Sequence, residues 1–267
     1  MTLANLFPDD DYRFQLRFER GEPAQFFAPT DRHAELMAER KRWLCDAPDK
    51  YAAALPTVEA LLDEAVELAD AWKGFKDLAT SASARCLALG QFWEPDFLLL
   101  KSDCDGAVRL HGGCVCFPSS WRLSEKVGKP IEFIHDVVPE LNATIGAGIQ
   151  RFLANLKPGV AWLRHNWGLS RSPELNQHPD RGLPRLDATV RSDEVWVRIE
   201  HQALVALPKS RGILFGIRLA NHSLAEVKVD RVAAERLTRA LVTMPEPMAA
   251  YKGVATARQR IVELLRD

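Results

Sequence analysis

The spacing of apolar positions changes several times along the chain, and each change marks a different kind of element. In "TVEALLDEAVELADAW", Val58, Leu61, Leu62, Ala65, Leu68 and Ala69 fall on one stripe at helical spacing, which predicts an amphipathic helix with Thr57 as its cap. The texture then shortens. "DFLLLKSD" and "AVRLHGGCVCFPSSW" are compact runs separated by Asp105-Gly106, a hairpin signal. Helical spacing returns over residues 121 to 157, most clearly in "ELNATIGAGIQRFLANL", and stops at Lys157-Pro158-Gly159. Three further strands are expected in "GVAWLRHNWGL", "DEVWVRIEHQALVALP" and "RGILFGIRLA", the last two joined by the turn from Pro208 to Gly212. Between the first two lies the polar stretch "SRSPELNQHPDRGLPRLD", long enough to be either a functional loop or a mobile excursion. The C-terminal stretch reads as two helices interrupted at Pro245 and Pro247.

This order predicts an α+β fold: a five-stranded antiparallel sheet with the middle helices on one face, and flanking N- and C-terminal helices. Residues 1 to 90 form a helical extension, 91 to 225 the core, and 226 to 267 helices packed on it.

Composition narrows the function classes. A 47% hydrophobic chain of 267 residues supports a sizeable core, and 35 basic against 36 acidic residues leaves no field for nucleic acid or an acidic membrane. No apolar run approaches the roughly 20 residues of a membrane span. Five cysteines, an odd number, and an N-terminus without a signal-peptide pattern point to the cytoplasm. Cys114-Val115-Cys116 lacks the second pair that a zinc or iron-sulfur site needs, so these thiols are expected to be buried. Dinucleotide, Walker and nucleophile-elbow fingerprints are missing too.

Chemistry therefore rests on isolated side chains. The seven histidines are dispersed, with no pair at zinc-binding spacing. One histidine in an apolar pocket suffices for a macrocycle whose own nitrogens fill the other positions, and His135 can be that residue or a polar loop residue before a helix capped by Asp136. Gly146 and Gly148 each cost on the order of 1 kcal/mol inside the helix that follows. Their smallness admits either a flat group or a closely packed neighbour. Period-two alternation places Arg198, Glu200 and Gln202 on one strand face and Arg164 and Asn166 on one face of another, opposite His165 and Trp167. Such rows form a solvated face or the polar wall of a pocket.

The blocks "EPDFLLLKSD", "VCFPSSW", "EKVGKPIEFIHDVVPELN", "WLRHNWGL", "VRIEHQALVALPKSRGILFGIRL" and "MAAYKGV", in that order, resemble the α-subunit family of haem-dependent oxidative N-demethylases. The resemblance implies a PAS-like core holding haem b, with His135 as iron ligand in a block whose first proline is replaced by Val137. It also implies that Arg164, Asn166, Glu200 and Gln202 line the reacting side, with Glu200 holding a substrate ammonium and Arg198 or Asn166 polarising dioxygen. Gly146, Gly148, Trp167 and Arg198 would contact the cofactor. His201 stands where the family has arginine, and distal ligation becomes conceivable if it faces the haem. The implied reaction is oxidative N-demethylation of a small amine with O2, the electrons coming from a separate flavin or iron-sulfur reductase using NADPH. The other reading of the same fold is a haem sensor of gas or redox state, and a haem-free relative is the third.

Overall fold

Strand alternation and turn chemistry place the centre of the sheet where the sequence predicts it, and two short additions lengthen it. The computed structural model describes residues 3 to 267. Strands β1 (Glu19–Gly21), β2 (Ala52–Ala54), β3 (Asp96–Ser102), β4 (Val108–Cys114), β5 (Ala161–Ser170), β6 (Trp196–Leu207) and β7 (Gly212–Ser223) form a seven-stranded antiparallel sheet in the order β1-β5-β6-β7-β3-β4-β2. The five expected strands are contiguous within it. The two added strands, three residues each, sit at its edges, where β1 pairs only with residues 161 to 163 of β5. Beyond Leu163 the outer edge of β5 is therefore free of strand pairing among the described residues.

The helices that build the core are α1 (His33–Asp46), α2 (Glu59–Lys73), α3 (Ala82–Phe92), α4 (Ile131–His135), α5 (Ala147–Ala154), α6 (Arg231–Thr243), α7 (Glu246–Tyr251) and α8 (Arg258–Arg266). They cover both faces of the sheet. On one face Leu61, Leu62 and Leu89 from α2 and α3 pack with Phe97, Leu99, Val205 and Leu214. On the other, Ile131, Ile134, Ile149 and Phe152 from α4 and α5 meet Leu98, Leu204 and Ile217. Each fully buried side chain of this size contributes roughly 1.5–3 kcal/mol. Strands β6 and β7 run on past β3, and α6 and α8 cover that end through Leu237, Leu241 and Ile261 against Val197 and Ile199.

Two local differences from the sequence pattern matter below. His135 closes the last turn of α4 instead of preceding a helix, and Asp136 follows it as the C-terminal residue. The chain then passes through Glu140 in the left-handed region (φ 61°) and a π-helical turn, Asn142–Gly146, before α5. Pro247 initiates α7 in its first turn, so the C-terminal stretch holds three helices where two were expected. No described helix is long and apolar enough to cross a membrane. Cys86, Cys114 and Cys116 are buried, and burial pushes their thiols well above the usual range.

Candidate functional site

A cavity of about 1380 Å³ lies against the sheet face covered by α4 and α5 and wraps around the free edge of β5. Its apolar wall includes Leu98, Leu204, Phe215, Ile134, Ile149 and Phe152. Its polar wall follows from the strand period. In the β5–β6 register Arg164 lies opposite Gln202, Asn166 opposite Glu200, and Gly168 opposite Arg198, so the predicted polar residues of two strands form one patch. His135 lines the same cavity from α4.

The patch is wired unevenly. Glu200 accepts a hydrogen bond from Ser119 Oγ at 2.7 Å on one carboxylate oxygen and from Gln202 Nε2 at 2.9 Å on the other. A carboxylate offers about four acceptor positions, so roughly two remain for a ligand. Arg198 is buried and spent: Nε donates to Ser119 Oγ at 2.8 Å, and Nη2 to the carbonyls of Phe117 and Leu175 at 2.8 and 2.7 Å. It fastens the loops that carry Ser119 and Leu175. The Ser119 loop is braced again from below, where Asp96 accepts from the backbone N–H groups of Cys116 and Phe117 and pairs with the buried Arg40 at 2.6 Å. Ser120 completes the turn in a left-handed conformation, φ 62°.

Arg164 has no hydrogen-bond or ion-pair partner among the described residues. Burial pulls its guanidinium below the ordinary range, with the charge of Glu200 opposing that effect. Burial likewise lowers His135, and the positive charge of Arg164 adds to the effect. The His135 ring therefore favours its neutral form and has no hydrogen-bond partner among the described residues. Asn142 Nδ2 donates to the Glu132 carbonyl at 2.8 Å and so ties the π-helical turn to α4. π-Turns of this kind are frequent at functional sites.

Lys252 reaches the patch around the open edge of β5. Its ammonium donates to the Trp167 carbonyl at 2.7 Å and lies 5.0 Å above the Trp167 ring. Burial brings it down to about 8, Glu200 raising it and Arg164 lowering it further. Tyr251, its neighbour, is raised by burial and by Glu200, and Tyr12 is pushed up to about 12 by burial and by Tyr251. Lys252, Tyr251 and Ser119 were not singled out from the sequence, although "MAAYKGV" and "VCFPSSW" contain them.

Residues 8 to 18 close one side as an extended strap. Tyr12 N donates to Thr243 Oγ1 at 2.8 Å, Arg239 holds Asp10 and Asp11, and Phe18 stacks on Phe152 with centroids 3.9 Å apart.

Not every expected site residue reaches this cavity in the same way. Trp167 points to the opposite sheet face, edge-on to Phe7 at 5.5 Å and Tyr12 at 6.4 Å. Gly146 and Gly148 lie outside the lining. A Cβ at Gly148 would come within 2.8 Å of Leu16 Cδ1, so that glycine makes room for the strap. His201 also faces away from α4, paired across the sheet with His165 and Arg218, and burial with these neighbours brings it down to about 4.

A family model described as haem-dependent oxidative N-demethylase, alpha subunit-like, matches residues 72–262, well over half of the chain.

Proposed function

Because the chain belongs to the haem-dependent oxidative N-demethylase, alpha subunit-like family, we propose that it is the oxygen-activating subunit of an amine-demethylating system, holding haem b through His135. The observation that carries this reading is the cavity itself, where the His135 imidazole, without a partner among the described residues, stands among apolar side chains on the side of the sheet that carries a row of charged and amide groups. A neutral imidazole nitrogen is one of the donors that bind haem iron, and apolar walls suit a porphyrin. A PAS-like core is part of the reading, supported by the contiguous antiparallel strands β3 to β7 with α4 and α5 on one face.

Bound haem supplies the reductive activation of dioxygen. The protein supplies placement and charge. Glu200, fixed by Ser119 and Gln202, keeps roughly two acceptor positions open, enough for the two N–H groups of a secondary ammonium. Asn166 and Arg164 supply donors beside it, in register on β5. Lys252, down at about 8, can hold or release a proton near neutral pH at the same patch. In the overall reaction dioxygen takes two electrons from the methyl C–H bond and two from outside, with two protons. The demethylated amine, formaldehyde and water result. A separate flavin or iron-sulfur reductase using NADPH is the electron source in this reading.

The test is an absorption spectrum of the purified protein beside its His135→Ala variant. The variant is expected to lose haem content and change its ferrous-CO spectrum; an unchanged spectrum rejects His135 as ligand. Formaldehyde release from methylated amines, with a reductase and NADPH supplied, tests turnover. No amine-dependent product from fully loaded protein favours a sensor.

A further inference from the structure

Three cations, Arg164, Arg198 and Lys252, surround the single carboxylate Glu200 on this polar wall. They are not equivalent. Arg198 has its donors committed to three carbonyls and a hydroxyl, and Lys252 has one carbonyl. Arg164 has five N–H donors and, among the described residues, no acceptor for any of them. This half-buried guanidinium lines the cavity and none of its nitrogens is sealed off from it, so its donors are open to an acceptor that arrives from outside. A planar carboxylate matches the guanidinium fork with two parallel hydrogen bonds.

The charge count points the same way. A simple alkylammonium brings a further positive charge to a cavity whose lining already holds more cations than carboxylates, nine against four. An amine that carries its own carboxylate brings none in net, and each end meets a complementary group: ammonium on Glu200, carboxylate on Arg164. These two residues stand on adjacent strands, since Glu200 pairs with Asn166 and Arg164 with Gln202. They are therefore diagonal neighbours on one sheet face, about 7–8 Å apart at the backbone, within reach of long side chains. A volume of about 1380 Å³ exceeds the roughly 300–1,000 Å³ of ordinary ligand pockets, which leaves room for such a substrate beside a cofactor.

We propose that Arg164 is a carboxylate receptor and that the substrates of this site are N-methylated amino acids. The inference rests on the amine-oxidising reading above, and the experiment separates the two. A haem propionate is the other carboxylate that Arg164 could hold, and the same samples distinguish it.

The probes are N-methylglycine and dimethylamine, titrated into native protein and the Arg164→Gln, Arg164→Lys and Glu200→Gln variants, with affinities read by calorimetry and haem content recorded for each sample. Native protein is expected to prefer N-methylglycine. Arg164→Gln should lose that preference by roughly 10- to 100-fold, the range set by a charge-assisted hydrogen bond, and Arg164→Lys should restore part of it. Glu200→Gln should weaken both probes. The proposal is overturned if native protein binds dimethylamine as tightly as N-methylglycine, or if Arg164→Gln keeps the native preference. Loss of haem from Arg164→Gln with the preference intact assigns its carboxylate to a propionate and also overturns it. Native protein that takes up no haem defeats the oxygenase reading alone, because the affinity ratio is still measured on haem-free protein.

Discussion

Arg198 and Arg164 project from neighbouring strands onto one sheet face, four residues apart in register, yet one is saturated and the other bare among the described residues. Arg198 ends on Ser119 Oγ and the carbonyls of Phe117 and Leu175, groups that belong to loops far apart in sequence. Arg164 ends in the cavity. The same residue type thus does two jobs, fastening loops in one place and waiting for a ligand in the other. Hydrogen-bond accounting separates them where strand period alone does not.

The largest effect expected from this contrast is on folding. Arg198→Met should destabilise the protein by about 3 kcal/mol or more, because it strands buried carbonyls as well as removing charge-assisted bonds. Arg164→Met should leave the melting temperature unchanged or raise it, as removal of an uncompensated polar group from a ligand site commonly does. Denaturant melts of the two variants side by side check the pair. Equal losses would erase the distinction.

The next effect concerns the third cation. Lys252 is lowered by burial from 10.5 to about 8, so between those values the unfolded chain binds the extra proton and stability rises with pH. Below about pH 8 the folded protein carries the charged ammonium at a cost, and that cost disappears as pH climbs toward 10.5. Lys252→Met should therefore flatten the stability profile across this window in matched thermal melts. A profile that stays parallel to the native one would mean Lys252 is not lowered.

The smallest effects test the two glycines behind the cavity lining. A Cβ at Gly146 would make only ordinary van der Waals contact, 3.6 Å from Asn142 Cβ, so Gly146→Ala should stabilise by roughly 0.5–1 kcal/mol. Gly148→Ala should gain less, because Leu16 must move, and hydrogen exchange over residues 10 to 18 should speed up. Unchanged exchange there would show that Leu16 accommodates the methyl without loosening the strap.

What the sequence made legible follows from range. Period two alone puts Glu200 with Gln202 and Arg164 with Asn166, and the turns at Asp105-Gly106 and Pro208 to Gly212 set the hairpins. Strands β1 and β2 are too short for any period to register, so the sheet reads as five strands instead of seven. The glycine cost in "IGAGI" is visible in sequence. Its cause is not, since Leu16 comes from a distant segment. Lys252 is hidden for the same reason: nothing local in "MAAYKGV" says that its ammonium will find the Trp167 carbonyl. Ser119 becomes informative only once Arg198 and Glu200 are seen to share it.

The strap has a consequence for the order of assembly. Tyr12 and Thr243 are 231 positions apart, so the strap can dock only after α6 has been made and packed. Contacts of that separation carry a large loop-closure cost and form late. The side of the cavity under the strap thus stays open while the sheet and α5 come together, and a large rigid guest has its widest entrance before the strap folds back over α6.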